Sequence, residues 1–542
     1  MKLQLDEARR LTGPNLLWEH AGAIVDVLIN GVDKQSVAEC WQKWAVLLLA
    51  EFGWSRQRST WRLHADGANL AISAPRDALY TACDLAELAW DCCAAEMQTE
   101  PQPDWQARLA ELRIDREREA NPQLLEIEAA AQSNNVICLT DDDHLSLGMG
   151  VNAEVWSIDE LPDPASLAWK GFTRIPTALI TGTNGKSTCV RLASEIARSA
   201  GLVAGVTSTD FIRVGDEIID RGDYSGPGGA RMLLRDNRTE IAFLEVARGG
   251  ILRRGLPVQK VDAALVTNVA SDHLGQYGIN TIEDLAETKF VVARALDADG
   301  VLVVNADNDL VVAQAAKTGK TLCWFSTEED NPLIQQQLQT GGRCVFVRSA
   351  AIVYHSESVF ESLGRISEIP MTFNGTAKHN IKNALGVAGL CRALKLPLEA
   401  IREGLRGFGS NAEDNPGRGN VYQANGCRVI VDFAHNAHSM RAVVDMVKQM
   451  PANGRIAVFS HGGDRSDKDI QQLTNAIADL DARCYVVAEL EAYLRGREPG
   501  EIPELVEQVL VDRGVATQQI KVAADPLQGA RQALKMAEPG DV

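Results

Sequence analysis

No CxxC pair occurs in this sequence, and of its eleven cysteines only Cys92 and Cys93 stand together, so neither a zinc site nor a disulfide framework is suggested. Basic residues are in deficit. The net charge of −19 argues against broad nucleic-acid or anionic-membrane binding, because a surface that tracks phosphates must be positive, although a local basic pocket stays compatible with it. No apolar run approaches the length that spans a bilayer, and Met1–Asp6 lacks the apolar centre of a signal peptide; a cytoplasmic setting is expected. Internal repeats and low-complexity tails are also missing. Tryptophan is nearly lost after residue 170: nine of the ten precede it and only Trp324 follows.

That imbalance marks a first unit, residues 1–165, within a 542-residue chain too long for one core and long enough for three domains. Trp41 and Trp44 lie three apart in an apolar stretch that continues to Leu49, which predicts a packed helix. Pro-rich polar breaks fall at Glu100–Pro103 and Leu161–Pro164. From about residue 170 apolar runs (178–180, 241–246, 263–266, 301–304) alternate with helix-length stretches such as 282–296. This alternation predicts an α/β fold: a central doubly wound, mostly parallel sheet over 166–410. Gly and Pro cluster from Gly407 to Gly419, after which runs at 429–432, 456–460 and 484–487 predict a C-terminal Rossmann-like α/β unit over 411–542. An α+β arrangement is expected for the N-terminal unit.

The run Thr177–Thr181 stops at Gly182-Thr183-Asn184-Gly185-Lys186-Ser187-Thr188, with a helical pattern following. Glycines let backbone N–H groups turn onto phosphate oxygens, a lysine meets the β/γ-phosphates, and a serine hydroxyl serves Mg²⁺. The general pattern wants a glycine where Ile180 stands, so the loop is a shorter variant. In an open parallel sheet, polar residues just past strand ends face the ligand crevice. Glu245 is so placed and could hold Mg²⁺, the bland alternative being an ion pair with Arg248. Asp272-His273 follows the next run. Lys289 sits on a predicted amphipathic helix, where a lysine belongs in solvent. Asp432, His435 and Asn436 follow one C-terminal strand, and His461 to Asp464 and Arg465 follow another, implying one shared crevice.

These residues together resemble the Mur ligase superfamily, over about residues 170–542. The likeness extends to the Mur-like half of the cyanophycin synthetases, carried by Gly222–Pro227, the run Glu245–Leu256, Asn268–Gly275, Asn305–Asp307, Pro416–Arg418 and Leu494–Arg497, with Arg9–Asn15 resembling their N-terminal start. Three departures stand out. The ATP-grasp module those enzymes carry between the two parts has no room here, Ala130–Gly150 resembling only its beginning. Ala437 replaces the proline usual in the family motif, and the family tends to continue into another strand after the position of Val542.

The resemblance implies an ATP-dependent ligase with ATP and Mg²⁺ as cofactors. A carboxylate would be activated as an acyl phosphate and joined to an amino acid or short dipeptide. It assigns Gly182 to Thr188, Asn305, Arg418 and Asp432 to ATP; Ser187, Glu245 and His273 to the metal; and Lys186, Glu245, His273 and Lys289 to catalysis, Lys289 lying where many Mur ligases carry a carbamylated lysine. Ser225, Arg248, His435, Asn436, Asp464 and Arg465 fall to substrate. A homo-oligomer without nucleic-acid or membrane partners is expected. A folylpolyglutamate-type or cell-wall ligase on another carboxylate, and an ATP-binding scaffold with decayed catalysis, are the alternatives.

Overall fold

The computed structural model describes residues 2–542. Its first sheet is antiparallel, ordered β1-β2-β4-β3, from Lys2–Leu11 (β1), Gly22–Asn30 (β2), Ser59–His64 (β3) and Gly67–Ser73 (β4). The two inner strands are almost wholly buried, because helices Lys34–Glu51 (α1) and Leu79–Gln98 (α2) cover one face, with Trp105–Glu119 (α3) behind. Trp41 and Trp90 are buried in this core, as the helical pattern around Trp41 predicts.

Residues 122–176 are built differently from the Trp-rich sheet before them. Helix Pro122–Ser133 (α4) packs on a small antiparallel sheet of Cys138–Thr140 (β5), His144–Leu147 (β6) and Glu154–Ser157 (β7), sharing a core of Leu124, Ile127, Leu145, Leu147 and Phe172. The stretch read as one N-terminal unit thus contains two sheets with separate cores.

The central sheet has eleven strands, ordered β11-β10-β9-β12-β8-β13-β14-β15-β16-β17-β18. Its elements in chain order are Thr177–Thr181 (β8), Lys186–Ser199 (α5), Ala204–Thr207 (β9), Phe211–Val214 (β10), Glu217–Arg221 (β11), Pro227–Leu234 (α6), Ile241–Glu245 (β12) and Arg248–Arg254 (α7). Val261–Val266 (β13), Ile282–Phe290 (α8), Leu296–Asn305 (β14), Asp309–Ala315 (α9), Thr321–Ser326 (β15), Pro332–Thr340 (α10) and Arg343–Arg348 (β16) follow. Ala351–Ser356 (β17), Val359–Arg365 (β18), Lys378–Ala393 (α11) and Leu398–Gly407 (α12) complete it. The seven strands from β9 to β16 in this order run parallel, and antiparallel strands are added at both edges. Both faces are covered, so the inner strands carry apolar runs such as 178–180, 241–244 and 263–266. The helix expected over 282–296 ends at Phe290, tightens to a 3₁₀ turn through Ala295, and yields Leu296 to β14.

Beyond the Gly/Pro cluster come the hairpin Arg418–Ala424 (β19) and Cys427–Asp432 (β20), then Ala437–Lys448 (α13), Ile456–Phe459 (β21), Asp467–Ala478 (α14), Cys484–Ala488 (β22), Glu501–Asp512 (α15), Ile520–Ala523 (β23) and Pro526–Met536 (α16). Strands β21, β22 and β23 form a parallel sheet. Gly540–Val542 bridge it to the hairpin: Arg428 N–H donates to Asp541 O and Ile456 N–H to Val542 O, both at 2.9 Å. Ala437 occupies the first helical position of α13, where proline is favoured and alanine is tolerated. Among the described residues no helix is long and apolar enough to cross a membrane.

Candidate functional site

Three neighbouring parallel strands, β12, β8 and β13, end on one side of the central sheet, so the loops after them are brought together. The middle loop is the Gly-rich one. Gly182 and Gly185 both take positive φ (147° and 89°), and Gly185 caps α5. Neither tolerates a side chain: a Cβ on Gly182 would lie 1.9 Å from Thr267 Oγ1, and one on Gly185 2.3 Å from Asn383 Oδ1. Polar groups of the loop after β13 hold this shape. Asn268 Oδ1 accepts from Asn184 N–H at 3.1 Å, Thr267 Oγ1 donates to Asn184 O at 2.7 Å, and Thr183 Oγ1 accepts from Ala270 N–H at 3.0 Å. The free N–H groups at the start of α5 form a cradle suited to an anion. Lys186 Nζ lies 3.2 Å from Thr183 O, at the rim of that cradle.

Glu245, at the end of β12, is 2% exposed. Its carboxylate accepts from Thr209 Oγ1 at 2.8 Å and Thr209 N–H at 3.3 Å, and it has no ion-pair partner within 4 Å among the described residues. Arg248 turns elsewhere and donates to Gln276 Oε1 at 2.6 Å, so the bland reading of a Glu245–Arg248 pair does not hold. A buried carboxylate without a cationic partner, at the end of the strand beside the one that leads into α5, is the kind of oxygen donor a hard divalent cation takes. Behind it Arg191 of α5, 1% exposed, pairs with Asp210 and donates to Asn415 Oδ1 at 3.1 Å, tying the linker to the loop helix.

The loop after β13 meets the C-terminal unit. Arg465 donates from Nη1 to Asp272 Oδ1 at 2.8 Å and from Nη2 to His273 Nε2 at 3.1 Å, while His435 Nε2 lies 3.9 Å from Asp272. Burial pushes the Asp272 carboxyl up, but His273, Arg465 and His435 outweigh it and hold it below the usual range. Burial, against the pull of Asp272 and with the push of Arg465 and Arg248, brings His273 down to about 4, so its ring is neutral and Nε2 accepts. With a guanidinium on it, Nε2 of His273 is not open to a metal in this arrangement; the oxygens of Ser187 and Glu245 are of the kind that fit one.

Lys289 is a correction to the amphipathic reading: it is 4% exposed, facing inward from α8 with Lys186, Asp272 and Arg248 as its charged surroundings. Burial first, then Lys186, pushes its pKa well down, favouring the neutral amine.

The C-terminal unit also reaches the Gly-rich loop. Asn436 caps α13 and exchanges side-chain hydrogen bonds with Asn184, donating at 2.9 Å and accepting at 3.3 Å, while Asn184 Nδ2 lies 3.0 Å from His438 Nδ1. Arg418 and Asp432 pair across the β19–β20 hairpin; Arg418 stacks 4.6 Å over the Phe433 ring, and burial raises Asp432 to about 6 against Arg418's pull. Other expected residues are spoken for. Asn305 donates to Thr267 O at 2.8 Å and accepts from Asp307 N–H, so its amide buttresses the loop. Ser225 donates to Asp223 at 2.6 Å, and Asp464 pairs with Arg495 at 2.7 Å.

Sequence reading passed over Thr209, Arg191, Asn415 and the start of α11. Helix α11 places Asn383 against Gly185 and half-buries His379, whose Nδ1 is inaccessible and finds no partner among the described residues. The signal was present as His379, Asn380 and Asn383, with Asn383 four residues after His379 and three after Asn380, so that all three fall on neighbouring positions of one helix.

The N-terminal sheet docks on the same region. Thr12 N–H donates to Arg254 O at 2.8 Å, Leu256 N–H to Pro14 O at 2.6 Å, and Arg62 pairs with Asp284. Arg9 pairs with Asp26, reaches Leu252 O and lies 4.8 Å over Tyr277, four residues past His273.

A parallel sheet with a Gly-rich anion loop, closed from above by a second α/β unit, defines a nucleotide-dependent two-lobed fold. Residues 180–391 match the Mur ligase middle domain and 417–542 the Mur ligase, glutamate ligase domain, together more than half of the chain; the chain belongs to the Mur ligase family. It is 39% identical over 334 residues to cyanophycin synthetase from Synechocystis sp., covering 62% of this chain and 38% of that one. The chain therefore matches well under half the length of the curated relatives of this kind. It is 29% identical to UDP-N-acetylmuramoylalanine–D-glutamate ligase from Chromobacterium violaceum, over 67% of each chain. A solved structure of E. coli FolC in complex with DHPP and ADP aligns with a TM-score of 0.51 at 20% identity, over 68% of this chain and 84% of that one, a likeness of fold.

Proposed function

We propose that this chain is an ATP-dependent carboxylate–amine ligase of cyanophycin-synthetase-like type, forming ADP and phosphate. The observation that carries the reading is the meeting of the anion loop, the unpaired carboxylate of Glu245 and the Asp272–Arg465 bridge in one cleft between two lobes. The Gly-rich loop and Lys186 hold the β- and γ-phosphates of ATP. A substrate carboxylate oxygen attacks the γ-phosphorus, the bond to the β,γ-bridging oxygen breaks, and ADP leaves an acyl phosphate. An amine then attacks the acyl carbon and phosphate departs. The residues chiefly place reactants and neutralise charge. Mg²⁺, held by Ser187 and Glu245, would offset the phosphate charges. Arg465, Arg248 and His435 face the space where acid and amine meet, and Asn184 with Asn436 closes the lobes over the nucleotide. Lys289, kept neutral, is in the form that adds CO₂ as a carbamate.

The amine is proposed to be an amino acid or short dipeptide and the acid an aspartyl or similar carboxylate, one type of amide bond being made. The match to a D-glutamate ligase over two thirds of each chain favours a second reading, a ligase for a different acid. A matrix of carboxylates crossed with amines, read by ADP release and product mass, tests both. ADP appearing only with both partners, and lost in Lys186→Ala, is expected. ATP binding without paired turnover would instead leave a scaffold.

A further inference from the structure

Arg231, on α6, is 8% exposed, yet no carboxylate lies within ion-pairing distance of it among the described residues. Among the described residues its Nε has no hydrogen-bond partner, and Nη1 has only a 3.4 Å contact with Thr12 Oγ1, longer than an ordinary N–H···O bond. The acids nearest in charge are taken: Asp141 by Arg235 and Asp142 by Arg10. Burial lowers the guanidinium to about 10, which leaves it cationic at neutral pH. A buried cation without a counter-charge is costly, and proteins seldom keep one without a use.

This guanidinium lines a cavity of about 480 Å³ where three parts of the chain meet: the turn after β1, helix α4 with β5, and the segment after α7. The volume falls in the range of small-molecule sites. One wall carries an ion pair already balanced, Arg76 with Glu128 at 2.8 Å. Another carries Lys260, whose Nζ donates to Asn135 Oδ1 at 2.5 Å and has no ion-pair partner among the described residues. Two positive charges are left over in a chain whose net charge is −19, so the excess does not follow from composition. The remaining lining is largely apolar.

We propose that this cavity is a second ligand site, separate from the nucleotide cleft, for a small molecule that presents a carboxylate to Arg231 and rests its apolar body on α4. A carboxylate matches the planar guanidinium fork in shape and charge. A phosphate dianion, whose oxygens all need polar partners, would leave the largely apolar lining unmatched.

Calorimetric titration of the full chain with butyrate, hexanoate, succinate and inorganic phosphate tests this. A carboxylate is expected to bind with a dissociation constant of about 1 mM or below, weakened at least roughly tenfold in Arg231→Gln. Should that variant not fold, Ala129→Trp, on the exposed side of α4 at the cavity wall, removes binding by filling the space. Lys186→Ala and Arg465→Ala, both in the cleft, leave this binding intact. Binding that survives Ala129→Trp, binding lost in either cleft variant, binding of phosphate alone, or no saturable carboxylate binding up to about 10 mM would each overturn the proposal.

Discussion

Asn184 and Asn436, 252 positions apart, hold each other's side-chain amides at 2.9 and 3.3 Å, one from the Gly-rich loop and the other from the cap of α13. Asn436 accepts from Ser439 N–H at 2.9 Å with the same oxygen that faces Asn184, so it serves the helix and the lobe contact together. Asn436→Asp keeps the cap and removes the donor to Asn184; Asn436→Ala removes both. The first is expected to raise KM for ATP several-fold with unchanged thermal stability, and the second to add a loss of about 1 kcal/mol. Equal stability of the two variants in a denaturant titration would contradict the division.

Arg465 bridges Asp272 and His273 from the opposite lobe. Arg465→Ala leaves the mostly buried Asp272 carboxylate without its guanidinium, and such a loss costs about 3 kcal/mol when it occurs inside a structure. Here the cost falls on lobe closure, so turnover should drop roughly a hundredfold while each lobe still melts at its usual temperature. Arg465→Lys should not restore turnover, because an ammonium cannot meet both partners in one plane.

Gly13 sits where a Cβ would lie 2.2 Å from the backbone oxygen of Leu256. Gly13→Ala is expected to separate β1 from α7 at a cost of about 2 kcal/mol. Hydrogen exchange at the Thr12 and Leu256 amides should then accelerate, since both bonds cross that joint. Gly171→Ala, with nothing within 4 Å of the added carbon, is the silent control.

His461 is buried with one partner, the Thr474 hydroxyl at 3.3 Å, and burial, aided by Arg465, lowers it to about 4. The folded chain thus refuses a proton that the unfolded chain accepts near pH 6.5. Stability is fully present above about pH 6.5, is lost as pH falls towards 4, and levels off below, with at most about 3 kcal/mol at stake. His461→Gln should flatten that part of the melting-temperature profile; an unchanged slope between pH 6.5 and 4 would remove His461 as its source.

The parallel sheet was legible because each inner strand is covered on both faces, which turns 178–180, 241–244 and 263–266 into unbroken apolar runs. The Gly-rich loop was legible because close backbone approach leaves glycine no substitute at 182 and 185. Lys289 was misread because periodicity assigns faces and not the polar cleft one face lines. Thr209 could not be found, since its role depends on β9 ending beside β12. The separate sheet of residues 138–157 escaped because its strands are three to four residues long, too short to carry a period.

Helix α7 is seven residues long, and its two ends answer to different parts of the molecule. Arg248 at one end faces the cleft that holds Asp272, while Leu252 and Arg254 near the other are grasped by Arg9 and Thr12. Two turns of helix are stiff over roughly 10 Å, so the piece transmits displacement like a short crank. Whatever tugs on the first strand of the chain is therefore felt as a shift of one guanidinium in the reaction space.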